Sequence, residues 1–175
     1  MRRSGSDFTG DTRAERRDRL TVAMPRQLAS FFVGELCFGV DVLTVQEVRA
    51  PATLTPVPRA ARIVAGLLNL RGQIVPAIDV RRCLDLGTAP DGHPSMNLIL
   101  NTDEGCVSLL VDRMGEIHEV SEDNFELPPQ TVRGRSREII RGAYKLQDGL
   151  LLALDINKVL LGLAHTEPMR VFAEA

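Results

Sequence analysis

Beyond residue 27 the chain alternates short apolar runs with turn residues. The runs stop at Gly34-Glu35, Arg71-Gly72, Asp103-Glu104-Gly105 and Gln147-Asp148-Gly149, the punctuation of tight β-turns. This pattern predicts strands near 28–33, 36–41, 43–49, 66–71, 73–78, 96–101, 106–112, 115–120, 140–146 and 150–154. Two short helices interrupt them. One starts with Asp79 as N-cap, carries Val80, Cys83 and Leu84 on one face and stops at Gly87. The other starts with Asp155, carries Ile156, Val159 and Leu160 and stops at Gly162.

The likeness of the two caps extends to a repeat. Residues 63–84 match 139–160 at a constant offset of 76, with six identical pairs: Ile63/Ile139, Gly66/Gly142, Leu70/Leu146, Ala77/Ala153, Asp79/Asp155 and Leu84/Leu160. Upstream, Val40-Asp41 leads into Val45-Gln46-Glu47-Val48 much as Val111-Asp112 leads into Ile117-His118-Glu119-Val120. The chain reads as two copies of one small β unit, each too small to close a core alone. Function is then to be sought where the copies differ. The clearest difference is the hairpin tip, Asn69-Leu70-Arg71-Gly72 in one copy and Lys145-Leu146-Gln147-Asp148 in the other.

Composition narrows the picture. A length of 175 residues suits one domain, and with six Phe, one Tyr and no Trp the core is expected to be aliphatic. Residues 1–27 hold seven Arg and four acids and read as a flexible Arg-rich tail; 28–165 form the domain and 166–175 a C-terminal tail. No apolar run approaches the roughly 20 residues of a membrane span, and no apolar stretch follows the N-terminal arginines as a secretory signal requires. A cytoplasmic protein without membrane insertion is expected. Cys37, Cys83 and Cys106 are odd in number and widely spaced, so all three are taken as small core residues and not as a disulfide or metal framework.

Catalytic chemistry finds little support. His93, His118 and His165 share no metal-ligand spacing, and there is no GxSxG, Walker A or GxGxxG sequence. The pairs Asp103/Glu104 and Glu122/Asp123 sit in turns and read as solvated charge. No enzyme, cofactor or metal is expected. Arg133, Arg135, Arg137 and Arg141 lack interleaved aromatics, so a mobile solvated loop is the reading and nucleic-acid binding is not.

The run Gly39-Val40-Asp41, Val45-Gln46-Glu47-Val48, Thr55-Pro56-Val57-Pro58 and Gly66-Leu67-Leu68-Asn69-Leu70-Arg71-Gly72-Gln73-Ile74-Val75-Pro76-Ala77-Ile78-Asp79-Val80-Arg81 resembles the signature of CheW-type chemotaxis coupling proteins. The likeness continues at Val111-Asp112 and Leu154-Asp155-Ile156-Asn157-Lys158-Val159-Leu160, covering about 29 to 163. The resemblance implies an all-β fold of two SH3-like five-stranded β-barrels packed around a shared aliphatic core, with short helices. It implies a non-enzymatic adaptor that couples the cytoplasmic signalling tip of methyl-accepting chemoreceptors to the regulatory domain of a CheA-type histidine kinase, in receptor arrays at the inner membrane. Matched residue by residue, it places receptor binding at Arg71, Glu47 and Val45, and kinase binding at Val42 and Gly66. Phe38 stands where the family often has Tyr, and Ala65 where Lys is common. A non-flagellar chemosensory output and a free-standing SH3-like peptide or nucleic-acid module are the competing readings.

Overall fold

The computed structural model describes residues 25–87, 89, 95–128, 130 and 132–164. The first half contains strands β1 (Arg26–Val33), β2 (Leu36–Asp41), β3 (Val45–Arg49), β4 (Val64–Leu70) and β5 (Gln73–Asp79), followed by helix α1 (Val80–Cys83). The second contains β6 (Met96–Thr102), β7 (Gly105–Val111), β8 (Arg113–Val120), β9 (Phe125–Glu126), helix α2 (Arg135–Ile139), β10 (Ile140–Leu146), β11 (Gly149–Leu154) and helix α3 (Ile156–Ala164). Runs such as Leu98-Ile99-Leu100 are continuously apolar because both strand faces are covered: Leu98 and Leu100 enter one buried cluster and Ile99 another.

The strands form a six-stranded sheet, β8-β1-β2-β11-β10-β9, and a five-stranded sheet, β3-β6-β7-β5-β4. The repeat is exact in its local geometry. Ladders β4–β5 and β10–β11 each shift register at the glycine, between Val64 and Gly66 and between Ile140 and Gly142. The Asp79 amide donates to Ile63 O and the Asp155 amide to Ile139 O, both at 2.8 Å. Each aspartate also caps its helix, accepting from Arg82 N at 3.1 Å and from Lys158 N at 3.2 Å.

The copies are nevertheless not one barrel each. Strand β2 pairs in parallel with β11, from Cys37↔Leu151 to Gly39↔Ala153, and β7 pairs in parallel with β5, from Ala77↔Ser108 to Asp79↔Leu110. The early strands β1 and β2 therefore complete the barrel built from β8, β10 and β11, while β6 and β7 complete the barrel built from β3, β4 and β5. The two copies exchange strands, so neither can close its barrel without the other.

Three buried clusters result. Leu28, Val120, Tyr144, Leu151 and Ala153 fill one barrel, and Leu68, Leu70, Val75 and Ile99 the other. The largest cluster lies between the barrels and takes side chains from both, including Val33, Val40, Ile78, Val80, Leu98, Leu109, Ile140, Leu154 and Val159. This shared core is mostly aliphatic but holds a stacked aromatic pair, Phe31 and Phe38, with centroids 5.8 Å apart.

Several sequence expectations need correction. Arg26 and Gln27 belong to β1, not to a tail, and Arg26 Nε lies 3.1 Å from Asp41 Oδ2. The first helix is a single turn ending at Cys83, while the second passes Gly162 and reaches Ala164. The Arg133–Arg141 stretch is no loop: α2 occupies it, Ile139 is buried and Ser136 Oγ donates to Leu84 O at 2.7 Å. Only Cys83 is a core cysteine; Cys37 and Cys106 are half-buried beside the barrel interiors. The expected strand at 43–49 begins at Val45, after a 3-10 turn over Val42–Thr44. Residues 1–24, His93, His165 and 166–175 lie outside the described residues.

Candidate partner-docking site

The β4–β5 turn is set by two local features. Asn69 Oδ1 accepts the Gly72 amide at 2.8 Å, and Arg71 adopts the left-handed region at φ 53°. A non-glycine residue there costs about 1 kcal/mol. The equivalent Gln147 of the second copy is not among the positive-φ residues, so the two tips differ in backbone as well as side chain.

From this turn Arg71 Nη2 reaches Glu47 Oε2 at 2.8 Å, with 76% of the arginine side chain exposed against 23% of the glutamate. Glu47 lies on β3 and Arg71 on the β4–β5 tip, at opposite edges of the sheet order. The pair therefore bridges the open seam of the barrel; it is not a contact between neighbouring strands. It uses one guanidinium nitrogen and leaves most of the donor fork facing outward. Glu47 Oε1 is buried without a hydrogen-bond partner, which leaves half of the carboxylate unsatisfied.

The other residues singled out in the sequence fall into different settings. Val45 and Val42 are half-buried and pack against the shared core, so only part of each faces outward. Asp41 shapes the turn holding Val42: its carboxylate accepts from Leu43 N at 3.0 Å and its carbonyl from Thr44 Oγ1 at 2.7 Å. That turn ejects Leu43, which is 90% exposed. Gly66 is buried, and a Cβ there would lie 2.7 Å from Thr55 O and 3.0 Å from Leu54 Cβ. Its missing side chain admits the segment that bridges to Leu67, where Thr55 N donates to Leu67 O at 2.9 Å and Leu67 N to Thr55 O at 2.8 Å. Gly142 plays the same part beneath Phe125 and Glu126.

Sequence reasoning missed Leu43, because an alternating strand was read through it, and the exposed Val48 and Ile74 on β3 and β5. It also missed the junction between the barrels. Asp112, 13% exposed, receives Arg81 from α1 and the Gly34 amide at 2.6 Å from the β1–β2 turn, while its own amide donates to Phe32 O at 2.9 Å. Both residues stood within the family signature, but nothing in their spacing joined them.

Among the described residues no group of three His, Cys, Asp or Glu side chains could hold a metal ion, and no helix is long and apolar enough to cross a membrane. Burial pushes the Cys83 thiol up to about 12 and raises that of Cys37. The site offers shape, charge and apolar contact.

The CheW-like domain profile matches residues 27–163. The chemotaxis protein CheW of Treponema pallidum is 31% identical over 137 residues, 76% of this chain and 81% of that protein. CheW of Rhizobium meliloti is 28% identical over 134 residues, 77% and 86% of the two chains. The protein FrzA of Myxococcus xanthus is 37% identical over 115 residues, 64% and 72% of the two. The crystal structure of the scaffolding protein TtCheW from Thermoanaerobacter tengcongensis superposes with a TM-score of 0.66 at 26% identity, covering 75% of this chain and 84% of that one. With the exchanged barrels, the shared core and the seam pair in place, the chain belongs to the CheW-like domain family and acts as an adaptor in chemotaxis signalling.

Proposed function

We propose that this adaptor is non-enzymatic and joins the cytoplasmic signalling tip of a chemoreceptor to the regulatory domain of a CheA-type histidine kinase, in receptor arrays at the inner membrane. Residues 26–165 act as one unit, with 1–25 and 166–175 outside it. The observation that carries the reading is the seam pair. Arg71 is held in a strained turn, tethered by Glu47 at 2.8 Å, and keeps 76% of its side chain free. A tethered planar fork suits a carboxylate on a receptor helix, and the exposed Val48 and Ile74 add apolar contact. Glu47 positions the arginine, and Val45 seats β3 on the shared core.

The kinase-facing surface is assigned to the Val42–Thr44 turn and to the segment held over Gly66. Leu43 supplies the projecting apolar group, and Val42 anchors its turn to the core. Gly66 acts through Leu54 and Thr55, which lie above it.

Binding to a receptor signalling-tip fragment and to the kinase regulatory domain tests the assignment. Arg71→Ala, folded by circular dichroism, loses at least about tenfold in receptor affinity and keeps kinase affinity; Leu43→Asp does the reverse. An Arg71→Ala protein that binds both partners like wild type, or a wild type that binds neither, would overturn it.

A further inference from the structure

Among the described strands the chain passes between the two sheets only twice, from β2 to β3 through Val42–Thr44 and from β7 to β8 through Asp112. Both crossings start from a Val-Asp pair, Val40-Asp41 and Val111-Asp112, and at both the aspartate carries an arginine. The arginines come from different elements. Asp112 takes Arg81 of α1, and the pair is enclosed, with 13% of each side chain exposed. Asn157 of α3 stands where the repeat offset of 76 puts the counterpart of Arg81, so the second helix brings no cation to its crossing. Arg26 of β1 takes that place. Its Nε donates to Asp41 Oδ2 at 3.1 Å, with 37% of the arginine and 26% of the aspartate side chain exposed. Arg26, Asp41, Thr44 and Asn157 line one cleft of about 370 Å³ between the barrels.

We infer that Arg26 is a positioning residue for kinase docking, acting on Leu43 through Asp41. The inference rests on the kinase-facing assignment of the Val42–Thr44 turn. The two oxygens of the Asp41 carboxylate divide the work: Oδ1 accepts the Leu43 amide at 3.0 Å, and Oδ2 accepts the Arg26 guanidinium. A carboxylate unheld at Oδ2 rotates and exchanges its one amide bond for water, whereas a charge-assisted bond at Oδ2 keeps Oδ1 on the amide. The Thr44 hydroxyl closes the far end of the turn on Asp41 O at 2.7 Å, so the near end depends on the carboxylate. Leu43 is 90% exposed and has little packing to fix its direction, so the backbone of this turn sets how it is presented. Arg26 therefore reaches the projecting leucine without touching it.

Three variants of the full chain, each folded by circular dichroism, test this through exchange of the Leu43 amide and binding to the kinase regulatory domain and receptor tip. Arg26→Gln removes the charge and keeps most of the length. It should speed exchange of the Leu43 amide about tenfold and weaken kinase binding about tenfold, with receptor affinity unchanged. Arg26→Gln combined with Asn157→Arg returns the cation from the helix position that the other crossing uses, and should bring both readouts back to wild type. An arginine with only a packing role would not be replaced from a different element. Wild-type exchange and kinase affinity in Arg26→Gln overturn the inference, as does a loss that the added Asn157→Arg leaves in place. Leu43→Asp separates the two readings. If it keeps kinase affinity, the kinase-facing assignment falls and this inference with it; if it loses affinity while Arg26→Gln does not, only the role of Arg26 falls.

Discussion

Gly66→Ala separates packing from contact at the residue matched to kinase binding. The new Cβ would sit 2.7 Å from the carbonyl oxygen of Thr55 and 3.0 Å from Leu54 Cβ, and a backbone oxygen cannot rotate away. Relief requires the 54–55 segment to lift, which puts at risk the two bridge hydrogen bonds of 2.9 and 2.8 Å. Each is worth about 1 kcal/mol, and overpacking of this kind costs about 1–3 kcal/mol, so the expected loss is about 2 kcal/mol. For a chain of this size that lowers the melting temperature by about 4–8 °C. Gly142→Ala is the internal control. Its Cβ would meet Phe125 Cζ at 2.3 Å and Glu126 O at 2.5 Å, and the Phe125 ring is packed on Tyr144 with centroids 5.0 Å apart. It should cost at least as much, about 3 kcal/mol, without touching the proposed kinase surface. Urea unfolding of both variants and kinase-domain binding of each supply the readouts. If Gly66→Ala costs under about 0.5 kcal/mol yet abolishes kinase binding, the glycine is itself the contact and the packing argument fails.

Arg71→Gly should raise stability by up to about 1 kcal/mol, because relief of the φ 53° strain outweighs a seam pair whose arginine is mostly exposed; a melting temperature lower than wild type would contradict this. Arg81→Ala removes a charge-assisted bond to Asp112 at the junction of the barrels and should cost about 2 kcal/mol in denaturant unfolding, with no change in receptor affinity. The Cys83 thiol, pushed up to about 12 by burial, should resist an aromatic disulfide reagent at pH 8 until the chain unfolds, its thiolate fraction being about a thousandfold lower than that of a free thiol. The same shift fixes a pH dependence. The folded thiol holds its proton above the unfolded value of 9.0, so its contribution is complete below pH 9 and is lost as pH rises toward 12, seen as a falling unfolding midpoint.

Much of the fold is written locally. The hairpins at 64–79 and 140–154 follow from apolar runs closed by turn residues, and the aspartate caps at Asp79 and Asp155 from a carboxylate placed to accept the third amide of a helix. The family signature, with Arg71 at a turn beside Asn69 and Gly72, was equally legible, since each requirement concerns residues within four positions of one another. Helix α2 was hidden because four arginines mask its one buried position, Ile139, and β9 because two residues carry no period. The repeat is readable in the residues alone, but which barrel each strand joins depends on long-range pairing, because an offset of 76 is the same whether β2 pairs within its own copy or, as here, with β11. The seam pair Glu47–Arg71 and the junction Arg81–Asp112 belong to the same class. They join residues 24 and 31 positions apart that meet only once the barrels have curled and packed, and no local pattern encodes where a sheet closes.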